Sequence, residues 1–358
     1  MRILILYTYN KGLLSNFFQE LSSKLNKDGL EVHNYYLKHR KEAFVQDGVQ
    51  IYGDKRGGYF FNYVNIFKII LRVKPDIVIS NFSYVNPALL FGKLLRVKSN
   101  IVWFHTVYGH NKPNKLKIWI KKQFLKLADK IITNSLILQG EVHTIYKVQK
   151  HKIFSIPFWT NIQNYSKSTI SATLINNKSV FTIGCPGRLL ADKNHEIVIR
   201  AVHKLKAKGH TVKLFIAGWG DYKKKLEQIV KELNLHVEVE FLGLLNVHEM
   251  VVFYKKMDVL VLPSLNEAFG LVFIEAIALG SPVIVSSKFG SLSFIDQKKY
   301  NIVDFTFNPD SEEELILKLL EYINKRGLNS IFFKQLYAET FDKEKIYKSI
   351  KDIIIGND

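Results

Sequence analysis

The sequence predicts an α/β protein built from two Rossmann-like, doubly wound domains that face each other across a cleft. Three observations carry this. Short β-branched runs alternate with longer helical patterns, which is the signature of βαβ units. The alternation stops over residues 158–178, rich in Asn, Ser and Thr, and then restarts. Several runs, such as Ile3–Leu6 and Ile101–Trp103, are apolar throughout, as parallel strands covered on both faces require. A chain of 358 residues suits two domains of ordinary size.

Strands are expected at residues 2–7, 31–36, 76–80, 100–104, 130–134 and 152–156, with helices at 13–27 and 86–96 between them. This gives a first domain over 1–157 and a linker over 158–178. The second domain, 179–335, has strands near 179–185, 211–217, 237–242, 258–262 and 282–285. From Ser311 the pattern is mostly helical.

Composition excludes several classes. With 47% hydrophobic and 23% charged residues, the chain is not disordered. A single cysteine, Cys185, excludes an intramolecular disulfide framework and a cysteine-cluster zinc site, and fits a reducing compartment. No apolar run approaches the ~20 residues of a membrane span. The opening MRILILYTYNKG is too short in apolar residues for a signal peptide and reads as a buried strand. A cytoplasmic protein is expected, peripheral at the inner face of the membrane.

Charge divides unevenly. Residues 1–178 carry 27 Lys and Arg against 9 Asp and Glu, whereas residues 179–358 carry 24 against 23. The first half therefore holds nearly all of the formal net charge of +19, which points to an anionic partner or to simple solubilisation. Within it, residues 112–130 hold seven Lys and one Asp. On a helix at ~100° per residue, Leu116, Ile120, Phe124 and Leu127 share one face as a core stripe. Lys115, Trp119, Lys122 and Lys126 share another, either a solvated face or an interfacial one toward anionic lipid.

The second half carries the chemistry. In GCPGRLLADKN a strand ends, Pro186 and Gly187 turn, and Arg188 and Lys193 follow, with Asp192 or Asn194 as candidate cap of the next helix. Two cations beside a helix N-terminus suit a diphosphate, although basic loops are also common as solvated surface. In PSLNEAFGLVFIEAIALGSP, Gly270 opens a helix whose one charged residue is Glu275. A buried carboxylate needs a partner, either a structural Arg or ligand hydroxyls. Glu267 lies eight residues earlier, in the preceding loop. In IAGWGD, Gly218 and Gly220 permit close backbone approach to a nucleotide, or make an ordinary turn.

Together GRLLADKN, IAGWGD, FLG, the Glu267-x7-Glu275 pair and FNPDSEEEL, in this order over about residues 180–325, resemble the GT-B retaining glycosyltransferases of family 4. The resemblance implies a nucleotide-sugar donor held by the second domain. Arg188 and Lys193 would take the diphosphate, and Glu275 the ribose hydroxyls. Glu267 would face the donor sugar near its reacting carbon. The backbone of Phe269, Gly270 and Leu271 would approach the diphosphate or sugar, and Gly218 and Leu244 would border the base. Neither a cofactor nor a metal is expected, because no Asp-x-Asp occurs and the two cations would neutralise the leaving group.

The first domain matches the resemblance less closely. His105, at a strand's carboxyl end, resembles the family's His but is followed by Thr106 rather than Asp or Gly; it would contact donor sugar or acceptor. After the first strand only Gly12 stands where a Gly-Gly pair is usual, behind Asn10 and Lys11. The resemblance also implies that the C-terminal helices, 336–358, pack back on the first domain. The expected activity is transfer of a sugar to a hydroxyl of a glycan or lipid-linked acceptor in surface polysaccharide assembly. A nucleotide-sugar 2-epimerase and a non-catalytic scaffold share the architecture; the complete Glu–Glu and Arg–Lys set favours the transferase. No nucleic-acid motif occurs, so no nucleic-acid partner is expected.

Overall fold

The computed structural model describes residues 1–9, 12–37, 41–105, 115–166 and 180–356. The chain forms two compact units, one of Met1–Phe158 with Lys343–Asp358, the other of Trp159–Asp342.

The first unit runs β1 (Arg2–Leu6), α1 (Leu13–Lys27), β2 (Glu31–Leu37), β3 (Lys41–Gln46), β4 (Val49–Asp54), α2 (Tyr59–Val73), β5 (Ile77–Asn81), α3 (Val85–Leu94), β6 (Ser99–Phe104), α4 (Lys115–Leu125), β7 (Lys130–Thr133), α5 (Leu136–Thr144) and β8 (Ile153–Ser155). The sheet order is β3-β4-β2-β1-β5-β6-β7-β8, parallel except for the β3–β4 hairpin. Asp47 and Gly48 turn that hairpin with φ of 50° and 78°, the two left-handed residues a tight two-residue turn needs. Sequence periodicity missed this hairpin and α2, although Asp-Gly between two apolar runs is a hairpin signal. Leu4, Leu6 and Val78 meet Ile66 and Ile70 of α2 on one face of the sheet. On the other, Phe17 and Phe18 of α1 pack edge-on against Trp103.

The second unit runs β9 (Phe181–Pro186), α6 (His195–Ala207), β10 (Val212–Ala217), α7 (Lys223–Glu232), β11 (Val239–Gly243), α8 (Val247–Lys256), β12 (Val259–Leu262), α9 (Leu271–Leu279), β13 (Val283–Ser286), β14 (Thr306–Phe307), α10 (Glu312–Ile323) and α11 (Ser330–Thr340). Its sheet order is β11-β10-β9-β12-β13-β14, wholly parallel. Strands proceed outward from β9 on one side and from β12 on the other. The topological switch therefore lies between β9 and β12, where ligands of such sheets bind.

The last helix, α12 (Lys343–Ile355), belongs to the first unit. Ile350 is buried, Lys351 reaches Asp28 at 2.6 Å and Lys24 reaches Glu344 at 2.8 Å. The expected boundary at 336 is corrected to 343. The α11 helix packs on α9 in the second unit, with the Phe333 and Phe305 rings 5.9 Å apart and Phe341 against Phe269 at 6.1 Å.

The expected linker also needs correction at its start. Phe158, Trp159 and Ile162 are buried, and Phe158 stacks on Trp103 at 6.0 Å. Large apolar side chains draw this stretch into the two cores. Residues 167–178 of that segment lie outside the described residues. Among the described residues, no helix is long and apolar enough to cross a membrane.

Candidate active site

In the second unit, the loop after β9 carries Arg188 and Lys193, and the loop after β12 carries Glu267. A backbone bond joins them, from the Leu265 N–H to the Asp192 carbonyl at 2.9 Å. This tie sets the Lys193 ammonium against the Glu267 carboxylate, a pair whose side chains are only 12% and 18% exposed. Glu267 is held from behind, because the Gly290 N–H donates to its carbonyl at 2.9 Å. Arg188 is exposed on the same loop as Lys193.

Asn194 does not cap α6 with its side chain. Its backbone is left-handed, with φ of 54°, and its Nδ2 donates to the Pro309 carbonyl at 2.9 Å, holding the loop in place. Asp192 does not stand at the cap position either, and contributes the carbonyl already described.

The glycines of IAGWGD have a structural reason. A Cβ at Gly218 would lie 1.8 Å from the Gly187 carbonyl oxygen, and one at Gly220 would lie 2.2 Å from that of Leu189. The two loops are zipped by Gly187 N–H to Ala217 carbonyl at 2.9 Å and Leu189 N–H to Trp219 carbonyl at 3.0 Å. Gly218 thus fixes the loop that presents Arg188. Leu244, after β11, is exposed.

Gly270 opens α9 with φ of 94°, and a Cβ there would strike the Phe289 ring at 2.2 Å. No side chain caps this helix, so the amides from Leu271 onward carry the positive end of its dipole. Phe269 is buried, and its carbonyl accepts from the Ser291 N–H at 3.0 Å. Within α9, Glu275 is 3% exposed. Its Oε2 accepts from the Tyr254 hydroxyl at 2.8 Å, and its Oε1 has no partner among the described residues. Tyr254, on α8, was not legible in the sequence, since no spacing rule relates it to Glu275. Of the two partners the sequence allowed, no Arg meets Glu275 among the described residues; a tyrosine takes one oxygen and leaves the other without a partner among them.

Burial pushes the Glu275 carboxyl up to about 8, partly offset by the Tyr254 bond. Between the ordinary value near 4.5 and this one, the folded chain keeps a proton that the unfolded chain releases. The Glu275 contribution to stability is therefore full below the ordinary value and falls as pH rises through this window, by about 1.4 kcal/mol per pH unit. Glu275→Gln removes this loss. Urea denaturation at pH 5.5 and 8 should show the variant gaining on wild type as pH rises; parallel behaviour would contradict the assignment.

In the first unit, His105 follows β6 with both ring nitrogens engaged. Nδ1 meets Asn134 Oδ1 at 2.8 Å and Nε2 meets Asn81 Oδ1 at 2.7 Å. Phe82 stacks on the ring at 4.7 Å with φ of 48°, a strained conformation for a bulky residue. Burial first, and the Lys121 charge with it, pull the His105 imidazole down to about 3, against the Asn134 bond; the neutral ring has one N–H, so it donates to one of the two amide oxygens only. Thr106 lies outside the described residues, as do Asn10 and Lys11. Gly12 is exposed and heads α1 with φ of −81°, a conformation open to any residue.

The expected core stripe of α4 is corrected. Leu116 and Ile120 are 61% and 38% exposed, and Trp119 between them is 59% exposed. Phe124 and Leu127 are half-buried, because α4 docks through its last turns: Leu125 is buried and Lys121 lies 4.3 Å over the Phe104 ring. Lys115 and Lys126 are exposed and Lys122 is half-buried.

Two family descriptions match consecutive parts of the chain. "Glycosyltransferase Family 4" matches residues 14–163, and "Glycosyl transferases group 1" matches residues 166–330. The chain belongs to the family 4 glycosyltransferases. This glycosyltransferase is 28% identical to an uncharacterized glycosyltransferase of Methanocaldococcus jannaschii, over 81% of this chain and 82% of the relative. To another from that organism it is 35% identical, over 51% of this chain and about half (48%) of the relative's length. It is 26% identical to a D-inositol 3-phosphate glycosyltransferase of Corynebacterium urealyticum, over 73% of this chain and 67% of the relative. Among solved structures, Anabaena HepE in complex with UDP and glucose superposes with a TM-score of 0.81 at 17% identity, over 98% of both chains. The lipopolysaccharide outer core galactosyltransferase WaaB superposes at 0.74 and 16% identity, over all of both chains. The fold of this glycosyltransferase is GT-B.

Proposed function

We propose that this enzyme is a retaining glycosyltransferase. It moves a sugar from a nucleoside-diphosphate donor, held by the second unit, to a hydroxyl of a glycan or lipid-linked oligosaccharide acceptor in surface polysaccharide assembly. The observation that carries this is the Lys193–Glu267 pair at the topological switch, with Arg188 on the same loop and the orphaned Glu275 oxygen in α9.

As the bond between the anomeric carbon and the diphosphate oxygen breaks, its electron pair goes to the diphosphate. Positive charge grows on the sugar. Arg188, Lys193 and the α9 amides face the first charge and Glu267 the second, so a pair that is neutral at rest meets both ends of a separating dipole. The acceptor oxygen bonds the carbon from the same face, and its proton leaves on the diphosphate. Glu275 holds the ribose hydroxyls. In this reading the protein's own cations replace a metal ion. HepE, the structural neighbour, binds UDP, which supports a nucleotide donor.

The test is a screen of nucleoside-diphosphate sugars in EDTA, followed by determination of the product's anomeric configuration with the selected donor. Transfer with retention supports the reading; inversion, a 2-epimer formed without acceptor, or failure to bind every nucleotide would overturn it.

The exposed ridge Leu116–Trp119–Ile120, flanked by Lys115, Lys122 and Lys126, supports contact with the anionic inner face of the membrane. Each Lys contributes ~1 kcal/mol there. Trp119→Ser should lower co-sedimentation with phosphatidylglycerol vesicles several-fold. Equal sedimentation of wild type with neutral vesicles would end this part of the proposal.

A further inference from the structure

The first unit contains a second site-like feature away from α4. A cavity of about 290 Å³ opens at the carboxyl ends of its strands, lined by Thr8 after β1, Arg56 and Tyr59 after β4, Asn62 and Tyr63 on α2, and Tyr84 after β5. The order β2-β1-β5 places the switch point of this sheet between β1 and β5, beside Thr8 and Tyr84.

The lining is built rather than incidental. Asn62 fixes the turn that carries Arg56: its Oδ1 accepts from the Gly57 N–H at 2.9 Å and its Nδ2 donates to the Gly57 carbonyl at 3.0 Å. The cavity wall at Tyr84 is likewise locked, its hydroxyl accepting from the Leu37 N–H at 2.8 Å and bonded to Thr8. Tyr59 and Tyr63, one turn apart, stack with ring centres 5.1 Å apart, and Tyr59 is 75% exposed. Arg56 lines the same cavity as Tyr84. The nearest carboxylate in sequence, Asp54, is taken by the Tyr35 hydroxyl at 2.8 Å, and among the described residues no ion pair holds Arg56.

A preformed recess with an aromatic platform, a few fixed hydroxyl and amide groups and one unpaired guanidinium selects a particular chemistry. The guanidinium binds carboxylate or phosphate through two parallel bonds. The tyrosine faces take the apolar side of a hydroxylated ring, and their hydroxyls take its polar edge. We propose that this cavity binds an acidic sugar, with its phosphate or carboxylate on Arg56 and its ring against Tyr59 and Tyr63. This rests on the transferase reading proposed above; it gives the first unit the acceptor and assigns that acceptor an anionic substituent.

The test titrates the full chain with glucose 6-phosphate, glucuronate, glucose and inorganic phosphate, by calorimetry. At least one acidic sugar should bind about tenfold or more tighter than glucose and than inorganic phosphate; which one distinguishes a phosphate from a carboxylate source. Arg56→Ala should cut that affinity by about ten- to a hundredfold, as loss of a charged hydrogen bond does. Arg56→Lys should restore part of it, and Tyr59→Ala should weaken it several-fold. Both residues are exposed, so the variants are expected to fold, and nucleoside-diphosphate binding serves as the check. Equal binding of glucose, equal binding of bare phosphate, or an Arg56→Ala variant that binds like wild type would overturn the assignment. Failure of every nucleoside diphosphate to bind, with the acidic sugar still selected, would sink the transferase reading and leave the cavity standing. Diphosphate binding without acidic-sugar preference would do the reverse.

Discussion

Lys193→Ala is expected to lower turnover by about 10²–10³, the usual cost of removing one preorganised group aimed at developing negative charge. The same change should weaken nucleoside-diphosphate binding, since the ammonium meets the ground-state phosphates as well. It also strips Glu267 of its partner in a largely enclosed place. An unpaired, partly buried carboxylate is destabilising. Melting temperature must therefore be measured beside steady-state rates. Lys193→Arg, which keeps the charge but alters its geometry, should recover part of both. Turnover of Lys193→Ala within a few-fold of wild type would remove the leaving-group role.

Glu267→Gln should give a different signature. Turnover should again fall by about 10²–10³, because a charge that faces the sugar cation is lost. The donor KM should stay level or drop, because Lys193 no longer divides its ammonium between a carboxylate and the incoming diphosphate. A fall in kcat without a rise in KM marks a group whose contribution is made in the transition state. Calorimetry with the free nucleoside diphosphate should show equal or tighter binding than wild type. Weaker binding would place Glu267 among the donor-binding groups instead. The contrast between the two variants is what a resting ion pair at a charge-separating step implies.

These expectations rest on residues whose roles the family resemblance implied. Glu267-x7-Glu275 with Arg188 and Lys193 stood out because motif order survives in one dimension. The strands were readable where both faces are covered, as at Ile3–Leu6 and Ile183–Cys185, since full burial leaves a continuous apolar run. The β3–β4 hairpin was missed because β3, at the sheet edge, is short and mixes polar with apolar residues, and only Asp47–Gly48 marks the turn. In α4, the period assigned Leu116 and Ile120 to the core. Periodicity reports which residues share a face, not whether anything covers that face, and here the docking turns lie further along the helix. Tertiary partners were not legible at all. Tyr254 meets Glu275 across two helices, and Asn81 and Asn134 meet His105 from two other strands' ends. Gly218 read as a close backbone approach to a nucleotide or as a turn, and its missing Cβ makes room for the Gly187 carbonyl.

The central claim is that protein cations neutralise the leaving diphosphate. It is tested most directly by comparing the affinities of the preferred nucleoside diphosphate and of its parent nucleoside, in EDTA, for wild type, Arg188→Ala and Lys193→Ala. The account predicts that each variant loses about tenfold or more in diphosphate affinity while nucleoside affinity is unchanged. Diphosphate affinity equal to wild type in both variants, or equal losses for nucleoside and diphosphate, would contradict it.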